Sequence, residues 1–130
     1  MPTTLPAYTL DLCIDDINLA LGLALAPGRA WFSSKTHEKT AVKHANDYHL
    51  VMRHIDECCR APTYIGRHAK HPDNVELILD VPMSDETVHV LVAVVLRQNA
   101  RGNYNVDSAY CINDEEIGQR RQRGSVHKVR

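Results

Sequence analysis

Two runs dense in β-branched residues, Val75-Glu76-Leu77-Ile78-Leu79-Asp80-Val81 and Val88 to Leu96, constrain this chain most. Side chains branched at Cβ are stiff at χ1 and pack best on a pleated surface, so both runs predict strands. Pro82, Ser84 and Asp85 between them supply the turn. A third segment of the same kind, Tyr104 to Ile112, follows the turn-forming stretch Asn99-Ala100-Arg101-Gly102-Asn103. Three strands with short connections predict an antiparallel meander. In the last of them, period-two alternation assigns Tyr104, Val106, Ser108, Tyr110 and Ile112 to one face and Asn105, Asp107, Ala109 and Cys111 to the other.

The first half follows a different period. Asp15-Asp16 ahead of Ile17, Leu19-Ala20 and Leu23 predicts a short helix ended by the Ala26-Pro27-Gly28 turn. Ala30-Trp31-Phe32 reads as a brief extended segment, and Ser33 or Ser34 as the N-cap of a helix running through Lys43-His44. From Asp47, the spacing of Tyr48, Val51-Met52, Ile55 and Cys58-Cys59 predicts a helix to about Arg60 that stops before Pro62. Ala61 to Asn74, with Pro62, Gly66 and Pro72, reads as loop. Helices first and an antiparallel sheet second is the α+β pattern, with helices covering one sheet face. The 130 residues are 44% apolar, enough for a single domain over the whole chain. Aromatic residues make up only 5%, so Leu, Ile, Val and Ala must build the core.

Several classes are disfavoured. The apolar patch Leu19 to Ala26 is short, follows Asp11, Asp15 and Asp16, and lacks a basic leader, so it does not read as a signal peptide. Val88 to Leu96 is far below the roughly 20 residues of a membrane span. A protein with no membrane attachment, in the cytoplasm, is expected. The four cysteines include the neighbours Cys58-Cys59 and no CxxC pair, so they read as small hydrophobes rather than as disulfides or a zinc site. The net charge of -1 is unevenly spread: Arg120, Arg121, Arg123, Lys128 and Arg130 follow Ile117 with no acidic residue. This predicts a basic, frayed tail from about residue 118. A second basic group, Lys35, Lys39, Lys43, Arg53, Arg60, Arg67 and Lys70, is interleaved with most of the histidines.

Eight histidines are the chemical anomaly, with His37, His44, His49 and His54 close together. Metal ligands on a helix sit three or four residues apart, whereas His44, His49 and His54 follow at intervals of five and diverge by roughly 140°. No metal and no other cofactor is therefore expected. Acid-base chemistry suits the pattern better, because histidine titrates near neutrality and works without a metal. His37 and His44 are about two helical turns apart and would share a face, with Lys43 beside His44 and Asp47 and Tyr48 just beyond. Ser108 and Tyr110 place hydroxyls on an otherwise apolar strand face. Neither a GxSxG elbow nor a P-loop nor a GxGxxG loop is present.

The order of short segments from Ile14 to Ile117 resembles the phage-associated barnase/EndoU/colicin/RelE-like (PBECR) nuclease family. The matching pieces are Ile17-Asn18 with Leu21-Gly22-Leu23, Trp31-Phe32-Ser33, Lys43-His44 with Asp47-Tyr48, and Pro62-Thr63-Tyr64-Ile65-Gly66. The two apolar strands, Tyr104-Asn105-Val106-Asp107-Ser108-Ala109-Tyr110 and Ile117 complete them. The resemblance implies N-terminal helices packed on a twisted antiparallel sheet of about four strands. It also implies a metal-independent endoribonuclease of toxin type, which drives a ribose 2′-hydroxyl onto its own phosphate and leaves a cyclic phosphate. The family's helix histidine falls on His44, and its late-strand hydroxyl and aromatic fall on Ser108 and Tyr110. Thr40 stands where many relatives carry a further histidine, and His37, one turn earlier, is the substitute. Lys43, Arg67, Lys39 and Tyr48 would bind the substrate. RNA, with tRNA among the candidates, and an immunity or antitoxin protein are the implied partners. The alternative is a non-catalytic, phage-derived binding or inhibitor module on the same fold.

Overall fold

A computed structural model describes residues 5–68 and 70–130. In chain order these form β1 (Tyr8–Leu10), α1 (Ile14–Leu21), β2 (Ala30–Phe32), α2 (Ser34–Lys43), α3 (Tyr48–Arg60), β3 (Tyr64–Arg67), β4 (Asn74–Pro82), β5 (Thr87–Gln98), β6 (Tyr104–Ile112), α4 (Asp114–Gln122) and β7 (Val126–Lys128).

Local chemistry explains most boundaries. Ser33 caps α2 by accepting from the Thr36 amide, and the helix ends at Lys43 with His44 as its C-cap. α1 stops earlier than the Ala26-Pro27-Gly28 turn. Gly22 takes φ +64°, and the Asn18 side chain then bonds both the amide and the carbonyl of Leu25, which fixes a non-helical course. α4 opens with a reciprocal capping box between Asn113 and Glu116.

The described residues make one seven-stranded sheet in the order β1-β2-β6-β5-β4-β3-β7. β4, β5 and β6 are antiparallel neighbours at its centre. β2 runs parallel to β6, with Ala30 opposite Tyr104. The chain is α+β, but the expected antiparallel sheet of about four strands is overturned: the sheet is mixed and has seven strands. The additional strands β1, β3 and β7 are three or four residues long. β3 lies within the stretch read as loop. Residues from 118 onward, expected as a frayed tail, instead complete α4 and form β7, anchored by buried Ile117 and Val126.

Both faces of the central strands are covered. On one face Val75, Leu77, Leu79 and Val81 of β4 meet Val90, Val92 and Val94 of β5 under Val51, Ile55, Cys58 and Cys59 of α3. On the other, Tyr64, Ile78, Leu91, Ala93 and Ile112 pack beneath Ile117 of α4. Burial on two sides is why the central strands read as nearly continuous apolar runs.

β6 does not keep one alternation. Ser108 pairs with Ala93 but Val106 already pairs with Val94, so Asp107 is an extra residue in the strand. This bulge sends Tyr104 and Val106 to the α3 face together with Ala109, while Tyr110 and Ile112 lie on the α4 face. The expected grouping of Tyr104 and Val106 with Ser108 and Tyr110 is thereby corrected. No helix among the described residues is long and apolar enough to cross a membrane.

Candidate functional site

The α4 face carries polar residues at alternate positions of otherwise apolar strands. Pairing puts Gly66, Glu76, Ala93 and Ser108 in one row across β3, β4, β5 and β6, and Tyr64, Ile78, Leu91 and Tyr110 in the next. Two strand spacings separate Glu76 from Ser108, roughly 10 Å.

Glu76 is 2% exposed and is held by Arg120 of α4. The guanidinium donates from Nε to Oε1 at 3.0 Å and from Nη2 to Oε2 at 3.3 Å, a two-point contact that fixes both groups. The bond to Glu76 also raises the Arg120 pKa. The pair forms the floor of a cavity of about 250 Å³ lined further by Arg67, His68, Lys70, Arg123 and Ser125. Four cationic side chains against one carboxylate make it a place for an anion. Gly66 allows the β7 turn to close this cavity, since a Cβ there would stand 2.1 Å from the Ser125 carbonyl oxygen.

Beside this floor, His44 stacks on Tyr110 with ring centroids 5.1 Å apart and planes 21° from parallel. Burial, and then the Glu76 carboxylate, push the Tyr110 phenol above its ordinary range, so it stays a hydrogen-bond donor. Ser108, half-buried, lies on β6 two residues before Tyr110. The α2–α3 hairpin is tied to the same strand: Lys39 Nζ donates to the Asp107 carbonyl at 2.8 Å, and Asp47 accepts from the Cys111 amide at 3.1 Å. These side chains occupy the edge of β6 that short β2 leaves unpaired.

The residues expected from the sequence are thus divided. His44 and Tyr110 are in contact, Ser108 shares their face, and Arg67 lines the cleft. Lys43 is exposed in a separate hollow with His44 and Asp47. His37 is elsewhere. It is 4% exposed, its Nδ1 donates to the Pro6 carbonyl at 2.8 Å, and its Nε2 meets the Tyr48 hydroxyl at 2.6 Å. It packs against Phe32 and Tyr48. Both residues serve the interior instead of the open face. The expected shared face fails because α2 ends at Lys43, and His44, at φ −121° and ψ 43°, no longer follows the helical winding.

Glu76 was not among the site residues expected from the sequence, and Arg120 and Arg123 were read only as part of a basic tail. The signal was there in part: Glu76 and Asp80 interrupt the apolar run of β4 four residues apart, and so lie on one face. At the far end of that face, buried His89 meets Asp80 through Nδ1 and Asp114 through Nε2, each at 2.6 Å. This ties the first residue of α4 to the sheet. Among the described residues no group of three or more His, Cys, Asp or Glu is arranged to hold a metal ion. No family model, no curated protein and no solved structure matches the chain.

Proposed function

We propose that the chain is a metal-independent endoribonuclease of toxin type. The observation that carries this reading is a cationic cleft with a carboxylate at its floor and a histidine stacked on the tyrosine beside it. Cleavage by the neighbouring 2′-hydroxyl forms an O2′–P bond, breaks the P–O5′ bond and leaves a 2′,3′-cyclic phosphate with a free 5′-hydroxyl. One group must take the 2′ proton, another must protonate O5′, and donors must hold the charged phosphorane. His44 and Glu76 are the proton-transfer groups in this reading, Glu76 taking the part first expected of His37. Arg120 balances the charge of the cleaved phosphate, Arg67 and Lys43 hold the strand to either side of it, and Ser108 and Tyr110 donate hydrogen bonds. The partners are RNA, tRNA included, and an immunity or antitoxin protein that keeps the activity in check. The compartment is the cytoplasm, where such targets are found.

The test is incubation of the purified protein with total RNA in EDTA, scored for cyclic-phosphate ends. His44→Ala should lower the rate by about 10² to 10⁴, the usual cost of losing an acid-base partner. Ser108→Ala should cost less, because it removes one hydrogen bond. Absence of cleavage in wild type, or full activity in His44→Ala, would replace this reading by the non-catalytic binding module.

A further inference from the structure

The cavity floor is occupied by the Glu76–Arg120 pair, but its rim is not. The ion pairs among the described residues are Arg29–Asp11, His89 with Asp80 and Asp114, Arg120–Glu76 and Arg130–Asp16. Arg67, Lys70 and Arg123 thus line the cleft without a carboxylate partner among those residues. Arg67 has one guanidinium nitrogen on the Pro72 carbonyl at 3.3 Å, which steadies the side chain while leaving other donors free.

His68 adds a directed donor. Its Nδ1 accepts from the amides of Lys70 and His71, at 2.9 and 3.1 Å. An imidazole nitrogen that accepts carries no proton, so the proton is on Nε2. The ring lines the cleft, and Nε2 is its remaining donor. Ser125 is oriented by its hydroxyl bond to the Arg120 carbonyl at 3.1 Å.

We infer that this rim, Arg67, His68, Lys70 and Arg123, is a phosphate subsite. It binds a backbone phosphate of the RNA strand other than the one cleaved, and so sets the register of the strand on the sheet. The identity of the ligand rests on the ribonuclease reading, whereas anion binding does not. Three cations and an imidazole line one space of about 250 Å³, and phosphate, with more oxygens and more charge than a carboxylate, can meet several of them at once.

The experiment follows the ring protons of His68 by NMR while inorganic phosphate is added, in wild type and in Arg123→Gln and Arg123→Lys. Arg123 is exposed, so neither change threatens the fold. Saturable shifts in wild type, about tenfold weaker binding in Arg123→Gln and recovery in Arg123→Lys are expected. A second arm measures binding of a single-stranded oligoribonucleotide against salt, using wild type and Arg123→Gln. Loss of one phosphate contact should make the log–log slope shallower by about 0.7. Unmoved His68 signals, or equal phosphate affinity in all three proteins, would overturn the subsite. Phosphate binding with no oligonucleotide binding would overturn its assignment to an RNA strand in favour of a small phosphomonoester. Neither arm uses cleavage, so a catalytically silent protein still decides the question.

Discussion

Glu76 ends in a charge inside a sheet whose neighbouring positions are Ile78, Ala93 and Gly66, and only Arg120 makes that tolerable. An unpaired buried carboxylate is far costlier than a missing pair, so the two members are not equivalent in a mutational test. Arg120→Ala strands the carboxylate and should lower the unfolding free energy by about 3 kcal/mol. Glu76→Gln leaves the guanidinium, which is partly exposed and can turn to water, and should cost about 1 kcal/mol. The double change Glu76→Gln with Arg120→Met should recover most of the Arg120→Ala loss. Urea unfolding of the three variants checks this ordering, and a neutral Arg120→Ala would show that Glu76 is not held as a buried charge. At this scale the sequence carried half of the message. Glu76, Asp80 and His89 could be recognised as same-face interruptions of apolar strands, but their partners Arg120 and Asp114 are 44 and 25 residues away along the chain for Glu76 and His89. Nothing in local spacing announces such a pairing.

Elements were legible where they repeat an apolar pattern; α4, nine residues long with Ile117 as its buried residue, repeats none and was missed. α2, α3 and the three central strands each repeat a period often enough to be recognised. β1, β3 and β7 have only three or four residues, and a strand that short is defined by the edge it meets, not by its own pattern. The bulge at Asp107 was hidden for a related reason: strict alternation is the simplest reading of any strand, and one extra residue reverses the face of everything beyond it. This decided the site, because it is the bulge that leaves Ser108 and Tyr110 opposite the α3 core. The close approach of β7 to β3 gives a test. At Gly66 an added Cβ meets the Ser125 carbonyl oxygen at 2.1 Å and Val126 Cγ1 at 2.6 Å, and backbone cannot swing aside as a flexible side-chain end can. Gly66→Ala should therefore detach β7 and cost roughly 1–3 kcal/mol. Amide exchange should rise at Arg67 and Val129, whose N–H groups bond to Ser125 and Thr63 across this edge. Unchanged protection at both amides would mean that the cleft wall is not set by this contact.

For the molecule as a whole, a net charge of -1 conceals a gradient along α4. Asp114, Glu115 and Glu116 stand in its first turn and Arg120 and Arg121 in its last, which complements the helix dipole and turns the cationic end toward the cleft. A polyanion would be steered to that end and repelled from the other. The thiols respond to a different global property, the completeness of the core. Burial pushes Cys58 and Cys59 well above their ordinary value of 9.0, Cys13 up to about 12 and Cys111 up to about 11. Above pH 9 the unfolded chain therefore releases thiol protons that the folded chain retains. The stability present below that pH must fall as pH rises toward the folded values. Each such thiol contributes a slope of about 1.4 kcal/mol per pH unit, so Cys13, Cys58 and Cys59 together give about 4, with less from half-buried Cys111. Against a typical total of about 5–15 kcal/mol, this predicts unfolding within a few units above pH 9. Urea midpoints measured from about pH 8 to pH 11 should drop steeply in wild type. Cys59→Ala, whatever it does to stability at neutral pH, should flatten that dependence by one thiol's share. A midpoint that stays level through this range would mean that solvent reaches the thiols, and that α3 does not seal the sheet as its buried face requires.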